Sequence, residues 1–352
     1  NCINFPSLVA TKAARICHAA GNAPVYEYGL RRAQGRDGGL TVSRAAFLGG
    51  CAGTSNVLAG KNYGIPVKGT HAHSWVMSFP NEPAAFSAYV SAMPNNAFLL
   101  VDTYDTLAGI DNAIKVGKAM QAAGRSLGGI RLDSGDLAYL SQKARQKLNA
   151  AGLTEVKIIA SNDLDEQVIE SLKSQKAKID LWAVGTRLAT CYDQPALDGV
   201  YKLGALRERG GSWQYKIKLS EQTAKISTPG LLRVKRFYKQ GQAIADMIYD
   251  EVLGLSKSGY MIDMLDLTRR ARPGLRATET EELLTPIFRQ GQRVYEVPGL
   301  EAARRHCLQQ LRLFHPAIQR LLNPHSYPVG LEEKLFKLRT ELILQAREGL
   351  SS

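Results

Sequence analysis

The sequence predicts an α/β fold: a β/α barrel of parallel strands, with a second, partly antiparallel β domain and C-terminal helices. Three observations predict it. First, short apolar runs alternate with amphipathic helical stretches from about residue 21 to 205, and repeated βα units give a parallel sheet covered by helices. Second, polar clusters stand just after apolar runs: Gly69-Thr70-His71-Ala72-His73-Ser74-Trp75, Val101-Asp102-Thr103-Tyr104-Asp105 and Arg131-Leu132-Asp133-Ser134-Gly135-Asp136. In a β/α barrel all strand ends open onto one face, and that face carries the chemistry. Third, the pattern changes beyond Leu203 to short strands with turn signals, the mark of an antiparallel layer.

The elements follow in order. Residues 1–20 read as a leading helix, 21–205 as the barrel and catalytic domain, and 206–352 as a β-rich and helical region. Strands are expected at Pro24–Tyr28, Ile65–Lys68, Phe98–Asp102, Gly129–Leu132, Val156–Ala160 and Leu181–Val184. Helices are expected at Leu107–Ala123, Leu137–Ala151 and Asp165–Lys173; Gly124 and Gly152 punctuate the first two as C′ glycines do. In the last region the strands are Trp213–Leu219, Leu231–Tyr238, Ala243–Ile248 and Arg293–Val297, followed by helices over 299–321 and 331–347. No sequence repeat of about 20–50 residues is visible, which argues against a solenoid.

Composition narrows the function classes. With 45% hydrophobic and 22% charged residues the balance is that of an ordinary soluble chain. The apolar runs, such as Ala97 to Val101, are too short to span a bilayer, so no membrane role is expected. The chain opens on Asn1-Cys2-Ile3 without an initiator Met or a signal-peptide pattern, and the expectation is that sequence is missing upstream. Five scattered cysteines without metal-ligand spacing read as free thiols in a reducing cytosol. The net charge of +13 is uneven: residues 1–200 carry 20 Lys+Arg against 16 Asp+Glu, and the remainder 25 against 16. Such a field attracts anions. No nucleic-acid motif accompanies it, so small phosphorylated substrates fit at least as well as nucleic acid.

Four constellations stand out. His73 has hydroxyl and indole neighbours and an acid cluster one strand further on; a carboxylate such as Asp102 on one ring nitrogen frees the other as nucleophile or base. The plain alternative is a pair of satisfied polar groups. Arg131 and Asp133 bracket Leu132, so alternation puts both on one strand face, the inner one in a barrel. Buried Arg and Asp are rare unless paired or used; a ribose hydroxyl, a metal-bound phosphate or an aromatic carboxylate satisfies them, and so does a purely stabilising ion pair. Arg31 and Arg32 follow Tyr28-Gly29-Leu30: guanidinium forks suit phosphate and carboxylate, and Tyr28 can stack a flat ring. Gly185-Thr186-Arg187 follows the last barrel strand, where loops often bind phosphate through backbone N–H groups, and Ser161-Asn162-Asp163 can share that role.

Taken together the motifs resemble the nicotinate phosphoribosyltransferase family. The resemblance is carried by Ile3 to Lys12, Glu27 to Gln34, Gly53-Thr54-Ser55-Asn56-Val57-Leu58-Ala59-Gly60, Gly69 to Trp75, Asp102 to Asp105, Arg131 to Asp136, Trp182 to Arg187, Tyr192 to Leu197, Lys216 to Ser220 and Asn323 to Tyr327. It implies formation of nicotinate mononucleotide and diphosphate from nicotinate and 5-phosphoribosyl 1-diphosphate, with ATP and Mg²⁺ as cofactors, in a cytoplasmic homodimer. By position it implies that ATP phosphorylates His73 with Asp102 as its partner, that Tyr28 stacks the pyridine, and that Arg31 and Gly185-Thr186 bind the phosphoribosyl diphosphate. Arg131 then lies near nicotinate and Asp133 near the ribose. Ser74, Ser161 and Asn162 join the substrate site, and no residue is assigned to the metal. The nicotinamide-using relative is the alternative; it carries an acid near the position of Asn56, so a neutral Asn56 favours nicotinate by removing repulsion of a carboxylate. A catalytically dead ligand-binding relative is the reading from another class. The family also has a further N-terminal segment that completes the β domain and supplies an aromatic across the dimer, and this chain starts after it.

Overall fold

In the computed structural model, residues 2–95, 97–222 and 225–349 are described. Asn1 and residues 350–352, the ends of the expected leading helix and C-terminal region, lie outside them. The chain forms two compact units, residues 1–198 with 299–308, and residues 199–298 with 309–352.

The first unit is the β/α barrel. In chain order it holds α1 (Asn4–Ala20), β1 (Val25–Glu27), α2 (Gly35–Leu48), β2 (Gly53–Thr54), α3 (Val57–Tyr63), α4 (His73–Met77), α5 (Glu82–Ala92), β3 (Phe98–Leu100), α6 (Thr106–Ala122), β4 (Gly129–Leu132), α7 (Leu137–Ala150), β5 (Lys157–Ala160), α8 (Glu166–Ser174), β6 (Leu181–Val184) and α9 (Thr186–Ala189). The six strands are all parallel, in the order β2-β1-β6-β5-β4-β3. Their residues are buried on both faces, as a helix-covered parallel sheet requires: Leu99, Leu100, Ile130, Leu132, Ile158, Trp182 and Val184 are all at most 2% exposed.

One strand was not expected and one expected strand is absent. Gly53–Thr54 is a strand too short for any periodicity to reveal. Ile65–Lys68 contributes a single parallel bridge, Val67 to Thr54, rather than a strand. Pro66 has no N–H to give a ladder, although its carbonyl accepts from Thr54 N and Thr54 O accepts from Lys68 N. The same segment leads to His71, whose Nε2 accepts from Leu100 N of β3 at 3.1 Å. The ring from β2 round to β3 is therefore joined on this side by one backbone bridge and one histidine.

Helix starts follow capping chemistry. Asn56, Asn81, Asp105, Asp136 and Asp165 each accept from the backbone N–H three residues on, at the starts of α3, α5, α6, α7 and α8, and each such cap is worth about 1 kcal/mol. Gly124 and Gly152 sit past α6 and α7 with φ of 69° and 74°, the left-handed conformation that ends a helix without a Cβ penalty.

The second unit begins with the hairpin of β7 (Ala205–Leu206) and β8 (Gln214–Tyr215). A six-stranded sheet follows, built from β9 (Leu232–Lys239), β10 (Gln242–Asp250), β11 (Met261–Asp263), β12 (Arg270–Ala271), β13 (Glu279–Glu282) and, later in the chain, a strand at Val329–Glu332. Between them in the chain come the short pair β14 (Phe288–Arg289) and β15 (Gln292–Arg293), then α10 (Leu300–Arg312), whose residues up to 308 belong to the first unit, and α11 (Pro316–Gln319). The Val329–Glu332 strand is β16, and α12 (Glu333–Glu348) closes the described chain. The sheet is mixed: β10 runs parallel to β16 and the remaining pairs are antiparallel. The helix expected over 299–321 breaks before Pro316, because a residue preceding proline is pushed out of the helical region. Among the described residues no helix is long and apolar enough to cross a membrane.

Candidate active site

At the C-terminal ends of the barrel strands lies a cavity of about 310 Å³. Tyr28 enters it from the end of β1, and Arg31 and Arg32 from the single 3₁₀ turn that follows. Arg131 belongs to β4 and Asp133 follows it; Ser161, Asn162 and Asp163 follow β5; Gly185 and Thr186 follow β6; Ala72 and His73 open α4. Side chains from separate strands thus converge on one face, as the barrel geometry dictates.

Arg131 is the hub. Its Nη2 donates to Asp133 Oδ1 at 2.9 Å, its Nε to Ser161 Oγ at 2.8 Å and its Nη1 to Thr70 Oγ1 at 3.0 Å. Three of the five guanidinium N–H groups are so used, leaving two for a ligand. The guanidinium carbon lies 5.5 Å from the centroid of the Tyr28 ring, within cation–π reach. Burial pushes the Tyr28 phenol up to about 12, so at neutral pH its ring is uncharged. Burial also works against ionised Asp133, but the Arg131 guanidinium and the Ser161 hydroxyl outweigh it and hold the carboxyl below its ordinary range. The expected alternation of Arg131 and Asp133 is therefore realised as an ion pair that also lines the cavity.

His73 is arranged differently from the sequence expectation. Its Nδ1 meets Thr103 Oγ1 at 3.1 Å, while Nε2 faces two carboxylates, Asp133 Oδ2 at 3.7 Å and Asp102 Oδ1 at 4.0 Å. Asp102 is thus at ion-pair rather than hydrogen-bond distance. Its side chain is 1% exposed. Oδ2 accepts from Asp133 N at 2.9 Å and Ser134 Oγ at 2.6 Å, and Oδ1 is a buried oxygen with no hydrogen-bond partner. An unsatisfied buried carboxylate oxygen costs free energy, and here it faces the His73 ring at 4.0 Å.

His71 has a structural position. It is 7% exposed, fixed between Leu100 N and Ala72 O, and edge-on to Tyr89; burial lowers its pKa and keeps the ring neutral. Asn162 and Asp163 have φ of 94° and 39°, backbone strain of the kind that concentrates at ligand-binding sites.

Of the residues expected from sequence, Tyr28, Arg31, His73, Arg131, Asp133, Ser161, Asn162, Gly185 and Thr186 line this cavity. Asp102 stands behind His73, and Ser74 is exposed on the first turn of α4 outside the lining. Asn56 is not at the cavity: it is 3% exposed, its Oδ1 caps α3 and its Nδ2 donates to Ser43 Oγ at 3.2 Å. The direct repulsion argument for Asn56 therefore has no geometric basis. Sequence reasoning did not single out Thr70 and Thr103; their only signal was a hydroxyl beside a polar cluster.

The fold and site define a β/α-barrel protein with a basic ligand pocket at its strand C-termini. Comparison with known proteins narrows this. Residues 24–206 match the nicotinate phosphoribosyltransferase (NAPRTase) family and residues 233–339 the nicotinate phosphoribosyltransferase C-terminal domain. A nicotinate phosphoribosyltransferase of Bacillus subtilis is 41% identical over 358 residues, covering 99% of this chain and 71% of that protein. One from Dictyostelium discoideum is 36% identical over 390 residues, covering 95% and 65%. The crystal structure of human nicotinic acid phosphoribosyltransferase superposes with a TM-score of 0.77 at 28% identity, over 97% of this chain and 75% of that one. The chain belongs to the nicotinate phosphoribosyltransferase family.

Proposed function

We propose that this chain carries the nicotinate phosphoribosyltransferase reaction, joining nicotinate to 5-phosphoribosyl 1-diphosphate with release of diphosphate. The observation that carries the reading is the convergence on one cavity of a neutral Tyr28 ring, the Arg131 guanidinium beside it, and the exposed pair Arg31 and Arg32. A flat anionic ring and a phosphorylated sugar need those groups together.

Tyr28 stacks the pyridine, and the two free N–H groups of Arg131 take its carboxylate. That places nicotinate specificity on Arg131 rather than on Asn56. Arg31, with Arg32 beside it, and the Gly185–Thr186 turn with Ser161 and Asn162, hold the phosphates. The pyridine nitrogen attacks C1 of the ribose; the N–C1 bond forms as the C1–O bond to diphosphate breaks. Positive charge grows at the ribose ring, and Asp133 is the carboxylate placed to stabilise it.

ATP enters the same reading as the donor of a phosphoryl group to His73, with Asp102 and Asp133 facing the ring nitrogen that becomes charged and Ser74 beside it. Mg²⁺ supplies charge neutralisation to diphosphate when bound. Among the described residues there is no cluster of three or more His, Cys, Asp or Glu to cage a metal. Asp133 and Asp163 are the two cavity carboxylates, a donor set that fits Mg²⁺ held largely by substrate phosphates. We assign the protein to a homodimer, as the family resemblance implies, and to a reducing cytoplasm, for which the five free cysteines among the described residues are the support.

The test uses the purified protein with Mg²⁺, phosphoribosyl diphosphate and either nicotinate or nicotinamide, with and without ATP. Nicotinate mononucleotide, increased by ATP, is the expected product, and His73→Ala abolishes the ATP hydrolysis. Turnover of nicotinamide in preference to nicotinate would overturn the assignment.

A further inference from the structure

Beneath the cavity lies a buried acid that the reaction itself does not use. Strand alternation turns Tyr28 toward the cavity and Glu27 toward helix α2, the side of a barrel strand where an apolar residue belongs. Glu27 is 0% exposed. Its Oε1 accepts from Gly29 N, and its Oε2 accepts from Ser43 Oγ of α2 at 2.9 Å and Thr54 Oγ1 of β2 at 2.5 Å. All three donors are neutral. A carboxylate buried on neutral donors alone is costly, and replacing such a group with packed apolar side chains is often neutral or stabilising. Stability therefore does not explain its presence, whereas position does.

The bond from Gly29 N spans two residues and folds the chain back immediately after Tyr28. It presses Gly29 against the turn after β6, where a Cβ on Gly29 would lie 2.5 Å from Ala189 Cβ and 2.9 Å from Gly185 O. The two cavity walls, Tyr28 to Arg32 and Gly185 to Thr186, thus meet over this carboxylate. Asn56 joins the same network: its N–H donates to Thr54 Oγ1 at 3.0 Å and its Nδ2 to Ser43 Oγ.

We propose that Glu27 is a positioning residue for the ligand site, setting the Tyr28–Arg32 turn through Gly29 and through the hydroxyls of Ser43 and Thr54, and that Asn56 acts on the site only through this network. The proposal rests on the functional reading above for the identity of its ligands. Gln is expected to be accepted at this position. Its oxygen takes the Gly29 N–H, its amide donates to the hydroxyls, and Ser43 Oγ turns to Gly39 O, 3.0 Å away.

The experiment compares wild type, Glu27→Ala, Glu27→Gln and Ser43→Ala in KM and kcat for both substrates, and in calorimetric binding of phosphoribosyl diphosphate. Glu27→Ala should raise both KM values and the Kd about tenfold, with kcat of the folded enzyme within about threefold, because a charge-assisted hydrogen bond is lost from the turn and not from the reacting groups. Glu27→Gln should recover most of the loss, and Ser43→Ala should raise KM about threefold. A purely structural role lowers the melting temperature and the active fraction but leaves KM unmoved, and that result overturns the proposal. If Glu27→Ala does not fold, Ser43→Ala decides: an unchanged KM is refutation. Wild type that binds phosphoribosyl diphosphate without turning over nicotinate sinks the functional reading while the Kd comparison still judges Glu27. Wild type that does neither sinks both.

Discussion

Replacing Asp102 with Asn tests the charge arrangement at His73 directly. The substitution keeps the shape and removes one negative charge. Asp102 Oδ1 is 4.0 Å from His73 Nε2, and two unit charges at about 4 Å attract by about 4 kcal/mol at an effective dielectric of 20. His73 is 41% exposed, and solvent screening reduces that to about 1–3 kcal/mol. The full value applies only when the imidazole is charged, which in the proposed function is while it takes the phosphoryl group. The expected loss is therefore in the rate of phosphorylation, about 10- to 100-fold, with little change in nicotinate affinity. Fold loss should be small, since the Asn oxygen can take over the bonds from Asp133 N and Ser134 Oγ. The assay is single-turnover transfer from γ-labelled ATP, read as acid-labile, base-stable phosphoprotein, alongside a thermal melt. An Asp102→Asn enzyme that phosphorylates within about threefold of wild type would refute the reasoning, and Asp133, the nearer carboxylate, would then be the counter-charge.

Three further outcomes are expected. Because His71 has its pKa lowered from 6.5 by burial, the unfolded chain binds its proton more readily. Its contribution is complete above pH 6.5 and is lost as pH falls toward the lowered folded value. Urea midpoints for wild type should drop between pH 7.5 and 5.5 by more than those of His71→Asn; equal slopes remove His71 as the cause. Gly29→Ala should cost about 1–3 kcal/mol by overpacking, seen as a lower melting temperature, and should raise KM for phosphoribosyl diphosphate because the added Cβ pushes on Gly185 O. Asn56→Asp should destabilise by about 1–3 kcal/mol, since a buried acceptor replaces the donor facing Gly39 O and Ser43 Oγ. It should leave the ratio of nicotinate to nicotinamide turnover unchanged, and a shifted ratio would return Asn56 to direct contact.

How much was legible in the sequence depends on whether the signal is local. Gly129–Leu132 and Leu181–Val184 were readable because a strand in a helix-covered parallel sheet is mostly apolar, with Arg131 the one charged residue in the first, and both strands appear with those bounds. The N-cap at Asp165 lies within the expected helix start for the same local reason. The mixed character of the second sheet was not legible. The parallel pairing of β10 with β16 joins residues about 80 positions apart, and no local pattern carries that partner choice.

The same distinction runs through the site. Residues such as Tyr28, Arg31, Arg131 and Asp133 were found because polar groups just after apolar runs must lie at strand ends. Which atom meets which was not found: Asp102 was expected on a ring nitrogen as a hydrogen bond, and instead two carboxylates share Nε2 while Thr103 takes Nδ1. Asn56 shows the limit most clearly. Its neighbourhood in sequence, Gly53-Thr54-Ser55-Asn56, marked it for the ligand, yet a short β2 turns it back under α2 toward Ser43 and away from the cavity. Glu27 went unassigned for the converse reason: a strand residue beside a cavity-lining aromatic points to the opposite face. Sequence locates the face that does chemistry, and only the packing of the helix behind it shows which buried polar groups hold that face in place.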